Sequence, residues 1–146
     1  MSGPMTLTIV GLPAPQGSKR HVGGGRMVEM SKNVAPWREA VAAAARLEMV
    51  ATGMAEPLDG ALSLSASFRL PMPTSRPKRV REAGRQWRTS TPDLDKLLRS
   101  TLDGLVMGGL IVDDARVVSI EATKCEVVGW SGVTLRLRAA GEELSS

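Results

Sequence analysis

From Ala61 to Leu70 apolar and polar residues alternate without a break, with Leu62, Leu64, Ala66, Phe68 and Leu70 on one side and serines or Arg69 on the other. A period of two belongs to a β-strand with one face buried. Such a strand cannot stand alone. It needs hydrogen-bonded neighbours and a second layer over its apolar face. Thr6-Leu7-Thr8-Ile9-Val10 repeats the pattern and is stopped by Pro13, Pro15 and Gly17. Val117 to Val128 and Val133 to Arg138 read as two further strands, joined by a hairpin-like turn at Gly129-Trp130-Ser131-Gly132.

Two segments have the helical period that can supply the covering layer. Asn33 to Ala51 carries Trp37, Val41, Ala44, Ala45, Leu47 and Met49, with Asn33 read as the cap and Pro36 in the first turn. Leu94 to Met107 places Leu94, Leu97, Leu98, Thr101, Leu102, Leu105 and Val106 on one stripe and ends at Gly108-Gly109. The glycine-rich stretch from Ser18 to Val28 reads as a loose hairpin or a surface loop. The expected fold is a single compact α/β (α+β) domain over residues 1–146, a mixed β-sheet in β-α-β-α-β-β order packed by helices. Residues 1–4 and 141–146 are expected to fray.

Composition removes several chemistries. One cysteine, Cys125, and one histidine, His21, exclude an internal disulfide, a Cys-rich zinc site and paired-His metal sites. Phe68, Trp37, Trp87 and Trp130 are the only aromatics, few for a protein that stacks successive bases on aromatic platforms. No leader-like N-terminus and no run near the roughly 20 apolar residues of a membrane span is visible, so the expectation is a cytoplasmic protein without a membrane partner.

Charge is concentrated rather than spread. Between Arg69 and Arg88 seven basic residues face only Glu82, a local +6 that leaves −2 for the rest of a chain whose net charge is +4. Arg76, Lys78, Arg79, Arg81, Arg85 and Arg88, with Lys19, Arg20 and Arg26 in the glycine-rich stretch, are the candidate DNA contacts. Pro71, Pro73 and Pro77 read as a loop at the start of this run. It leads directly into five carboxylates: Asp93, Asp95, Asp103, Asp113 and Asp114.

On extended backbone Asp93 and Asp95 point the same way, but within a helix they diverge by roughly 200°. Sharing one cation therefore requires Asp95 near the helix start. Thr91 as cap with Pro92 in the first position is a competing start. If the chain returns against the start of the second helix, Asp113 or Asp114 joins the pair. Several convergent carboxylates call for a hard cation, Mg²⁺ before others. Lys96 and Arg99 stand one turn on, placed to offset charge developing on a phosphate. Asp95, Arg99 and Asp103 at i, i+4 and i+8 also fit a plain surface charge ladder. On the residues alone, a non-catalytic DNA-binding protein, a metal nuclease for other branched DNA, and an adaptor with a basic loop all remain open.

Asp93-Leu94-Asp95-Lys96-Leu97, Asp103-Gly104-Leu105, a glycine turn and Asp113-Asp114-Ala115-Arg116-Val117 together resemble the RusA family of Holliday junction resolvases. Pro15-Gln16-Gly17-Ser18-Lys19-Arg20 resembles the N-terminal loop of its phage-type members. The likeness runs from Met5 to Arg138. It implies a homodimeric, Mg²⁺-dependent (or Mn²⁺-dependent) endonuclease of bacterial or prophage origin that cuts four-way DNA junctions by paired incisions. It implies that Asp93, Asp95 and Asp114 are the metal-site aspartates, with Asp113 their acidic neighbour. Lys96 stands where the well-studied bacterial member has Asn, and Arg99 where it has a functional Lys. Arginine keeps the charge but does not transfer protons as lysine does, so an electrostatic role carries over to Arg99 and any proton-transfer part falls to Lys96.

Overall fold

The computed structural model describes residues 3–17, 19–22, 26–29 and 32–141. Of the expected tails at 1–4 and 141–146, residues 1–2 and 142–146 lie outside the described residues, as do Ser18, Gly23 to Gly25, Met30 and Ser31.

The alternating strand at the centre of the sequence is also central in space. Strand β4 (Leu62–Pro71) is the third of a five-stranded sheet ordered β1-β7-β4-β6-β5. Its neighbours are β7 (Gly132–Ala139), antiparallel, and β6 (Val117–Val127), parallel. Strand β1 (Met5–Val10) pairs with the outer side of β7, and the three-residue β5 (Arg85–Trp87) with the outer side of β6, both antiparallel. Strands β2 (Lys19–Val22) and β3 (Arg26–Glu29) form a separate antiparallel hairpin, one of the two alternatives the glycine-rich stretch left open.

Helices α1 (Val34–Thr52) and α3 (Leu94–Met107) pack on each other and on one face of the sheet. Leu62, Leu64, Ala66, Phe68 and Leu70 of β4 are all buried beneath them, the side their alternation assigned to the core. Trp37 is buried and its Nε1 donates to Thr101 Oγ1 at 3.1 Å, which satisfies the indole N–H where α1 meets α3.

Three expectations need correction. Asn33 occupies the N-cap position of α1, but its side chain makes no capping bond. The β-α-β-α-β-β order lacks two elements after β4: beyond the loop at Pro71, Pro73 and Pro77, which is present, the basic run forms the short helix α2 (Lys78–Ala83) and then β5. Helix α2 buries none of its residues, so no apolar stripe marks it in the sequence. The turn between β6 and β7 does not close a hairpin, because β4 lies between those two strands. Two strand spacings are roughly 10 Å, within reach of the four residues Val128 to Ser131. Arg69, near the end of β4, holds this crossing: its Nε donates to Trp130 O at 2.9 Å and its guanidinium lies 4.2 Å from the Trp130 ring centre.

Candidate metal and nucleic-acid site

Helix α3 begins at Leu94, which settles the choice of start left open by the sequence. Asp93 is the N-cap residue, on extended backbone (φ −69°, ψ 138°), and Asp95 lies in the first turn. Both are exposed. An aspartate at this position ordinarily caps the helix by accepting from the second or third amide. Asp93 makes no such bond, so its carboxylate is not committed to the helix. Its near neighbour is Lys96 Nζ, 3.9 Å from Oδ2. Asp93 and Asp95 thus stand where the helix has barely begun to turn them apart, with a cation beside them. Arg99 is exposed one turn further on.

The N-terminal loop is fastened to this end of α3. Gln16 N donates to Lys96 O at 2.9 Å, and Ser100 Oγ donates to Ala14 O at 2.6 Å. The β2–β3 hairpin, which carries Lys19, Arg20 and Arg26, therefore springs from a loop anchored beside Lys96; the side chains of these three residues lie outside the described part of the structure.

The other carboxylates lie elsewhere. Asp103 is ten residues along the chain from Asp93, roughly 15 Å along a helix axis. It faces Arg38 of α1, with Nη1 at 3.8 Å from Oδ2, rather than extending a charge ladder through Arg99. Asp103, Asp113 and Asp114 line a cleft of about 380 Å³ with Arg38, Val106 and Met107, at the far end of α3. The chain returns at the end of the helix and not against its start. Asp113 caps the short 3₁₀ turn Asp114–Arg116, accepting from Ala115 N at 2.8 Å, and Asp114 is exposed. Among the described residues no group of three or more His, Cys, Asp or Glu is placed to hold a metal ion within one chain.

The basic segment divides into two groups. Lys78, Arg79, Arg81 and Arg85 are exposed, Lys78 in a loose 3.7 Å pair with Glu82. Arg76 and Arg88 instead turn toward Glu126 on β6, a fully buried carboxylate that the sequence reading overlooked. Arg76 donates from Nε at 2.6 Å and from Nη2 at 3.0 Å, Gln86 Nε2 at 2.8 Å, and Arg88 Nη1 at 3.2 Å. The Arg76 hydrogen bond, opposed by burial and aided by Gln86 and Arg88, lowers the Glu126 carboxyl from its ordinary 4.5 to about 2. Arg76 is correspondingly raised by the same bond. The one available clue was an acidic residue between Cys125 and Val127, in an apolar stretch of strand. Gln86 and Arg88 point inward to Glu126. By the period of two, Arg85 and Trp87 point the other way, and Trp87 is 66% exposed.

This layout has a free carboxylate pair at a helix start, a lysine beside it and exposed cations on an adjoining arm. Over residues 10–138 the chain matches the family model described as Endodeoxyribonuclease RusA. The chain belongs to the RusA endodeoxyribonuclease family. The match takes in both acidic stretches, the basic arm and the β2–β3 hairpin. No curated protein matches the chain significantly. Among the described residues no helix is long and apolar enough to cross a membrane.

Proposed function

We propose that this chain is a Mg²⁺-dependent endonuclease that resolves four-way DNA junctions by paired, symmetric phosphodiester hydrolysis, working as a two-fold dimer. The observation that carries the reading is the uncommitted Asp93 carboxylate beside Asp95 at the start of α3, in a chain of the RusA family. The donor set fits the ion: Mg²⁺ takes hard oxygen ligands and is commonly held by one or two carboxylates with waters completing the shell. Mn²⁺ suits the same oxygens. Bound there, the ion supplies Lewis acidity and charge compensation for attack on a phosphodiester.

The chain's own residues do the rest. Asp93 and Asp95 hold the cation. Lys96, already 3.9 Å from Asp93, and Arg99 neutralise charge building on the phosphate. Arg79, Arg81, Arg85 and Lys78 meet backbone phosphates, a contact that fixes position rather than sequence. Asp113 and Asp114 stand too far along α3 to join Asp93 of their own chain. A dimer answers this by setting one copy's Asp93 and Asp95 against the partner's acidic turn, and a two-fold axis also supplies the two sites that paired cuts require.

The test is cleavage of a mobile four-way junction against a matched linear duplex, in Mg²⁺ and in EDTA, by the native sequence and by Asp93→Asn. The expected result is paired, Mg²⁺-dependent nicks on the junction, reduced more than about 100-fold in Asp93→Asn with binding retained. Tight binding without cutting in either metal would establish a non-catalytic DNA-binding protein. Equal cutting of flaps and forks would establish a nuclease for branched DNA in general.

A further inference from the structure

The backbone between β5 and α3 is held by side chains of one strand. After Arg88 N donates to Lys124 O, at 3.3 Å, the ladder between β5 and β6 ends. The three carbonyls that precede Asp93, those of Ser90, Thr91 and Pro92, are each taken by a side chain. Lys124 Nζ donates to Ser90 O at 2.8 Å and to Pro92 O at 2.7 Å. Arg88 Nε donates to Thr91 O at 3.0 Å, and its Nη1 is bound at the same time by Glu126. Lys124 and Glu126 are i and i+2 on β6, so they share a face. Lys124 lies opposite Phe68 in the register with β4, so its backbone is fixed against the central strand.

Ser90 and Thr91 are exposed, so water would satisfy their carbonyls as well as a side chain does. The side-chain bonds therefore add direction more than satisfaction. Charge-assisted bonds from an ammonium and a guanidinium are short and strong enough to fix a path. The residue that follows the third carbonyl is Asp93.

We propose that Lys124 is a positioning residue for the acidic pair: from β6 it fixes the backbone that delivers Asp93 to the start of α3, and Glu126 supports the same backbone through Arg88. This rests on the reading of Asp93 and Asp95 as the cation-holding carboxylates. Lys124 touches no reacting atom. It acts through where Asp93 is set, and a misplacement of about 1 Å is enough to cost roughly 100-fold in rate.

Lys124→Met keeps the apolar stem and removes the donor. The expected result is a kcat for junction cleavage lowered about 10- to 100-fold with KM within about two-fold, and a raised Mg²⁺ concentration for half-maximal rate. Amide hydrogen exchange, which needs no activity, is expected to speed up across Thr89 to Asp95 while α1 and β4 stay as protected as in the native chain. Lys124→Arg, which restores two donors, is expected to recover most of the rate. Asp93→Asn, run alongside, separates the two ideas. If Asp93→Asn cuts normally, the reading of the acidic pair fails. If Asp93→Asn is dead while Lys124→Met matches the native protein in kcat and exchange, the positioning role is overturned. A lowered kcat without local change in exchange, or faster exchange throughout the molecule, overturns it too. Should Lys124→Met not fold, Arg88→Lys carries the same measurements, since it removes the planar fork whose Nε and Nη1 reach Thr91 O and Glu126 from two separate atoms.

Discussion

Glu126 shows how one buried side chain organises several exposed ones. Two guanidiniums and an amide converge on its two oxygens, so the charge is removed from water only with every lone-pair direction met. Its pKa lies at about 2 in the folded chain against an ordinary 4.5. A depressed carboxylate pKa contributes stability that is fully present above the ordinary value and disappears as pH falls through the folded one. Thermal midpoints of the native chain should therefore drop between pH 4.5 and about 2 more steeply than those of Glu126→Gln, which has no proton to take up there. Parallel curves for the two proteins would remove the ion cluster from the account. The same scale separates the aspartates. Asp93 and Asp113 look alike in the sequence, each beside another acidic position before a helical turn. The fold uses Asp113 as a cap and leaves Asp93 free.

Between elements, α1 and α3 approach each other closely. A Cβ on Gly104 would lie 2.6 Å from Val41 Cβ, and one on Gly108 2.6 Å from Ala42 O. These glycines, four residues apart and so on one face of the helix, set how closely the two backbones approach. Gly104→Ala gains helix propensity of about 1 kcal/mol but forces Val41 and the α1 backbone outward. The net expectation is a loss of about 1–3 kcal/mol. Urea denaturation would show it as a lower midpoint at unchanged slope. A variant as stable as the native chain would mean that α1 yields freely. Elements without an apolar stripe behave differently. The segment that carries α2 and β5 is tied to β6 by strand pairing and by Arg76, Gln86 and Arg88, which reach Glu126, and periodicity carries no trace of that.

For the whole molecule, the decisive fact is that α3 separates its acidic groups: Asp93 and Asp95 at its start, Asp103, Asp113 and Asp114 around the cleft at its end. If a two-fold dimer completes each site, inactive variants should rescue each other. Asp93→Asn mixed with Asp114→Asn, after subunit exchange, yields heterodimers with one intact site and one carrying both lesions. Single nicks on the junction should return in an equal mixture, at about a quarter of the native nicking rate, since about half of the dimers are mixed and each of those has one of its two sites intact, though neither variant cuts alone. No activity from a mixture in which exchange is demonstrated would place the whole site within one chain.

The sequence by itself determined the elements whose information is local. The alternation of β4, the stripe and glycine stop of α3, the burial of Trp37 and the acidic run were all legible, because periodicity and turn chemistry act over a few residues. It also carried the family, through the combined spacing of Asp93-Leu94-Asp95 and Asp113-Asp114. Only the tertiary structure decided which strands are neighbours: four residues at Val128 to Ser131 close a hairpin or cross over β4 with equal ease, and pairing across the sheet makes the choice. It alone decided that Arg76 and Arg88 serve Glu126 while Arg79, Arg81 and Arg85 face outward. It alone decided that Asp93 keeps a free carboxylate. Each of these depends on partners far apart in the chain, which no local pattern records.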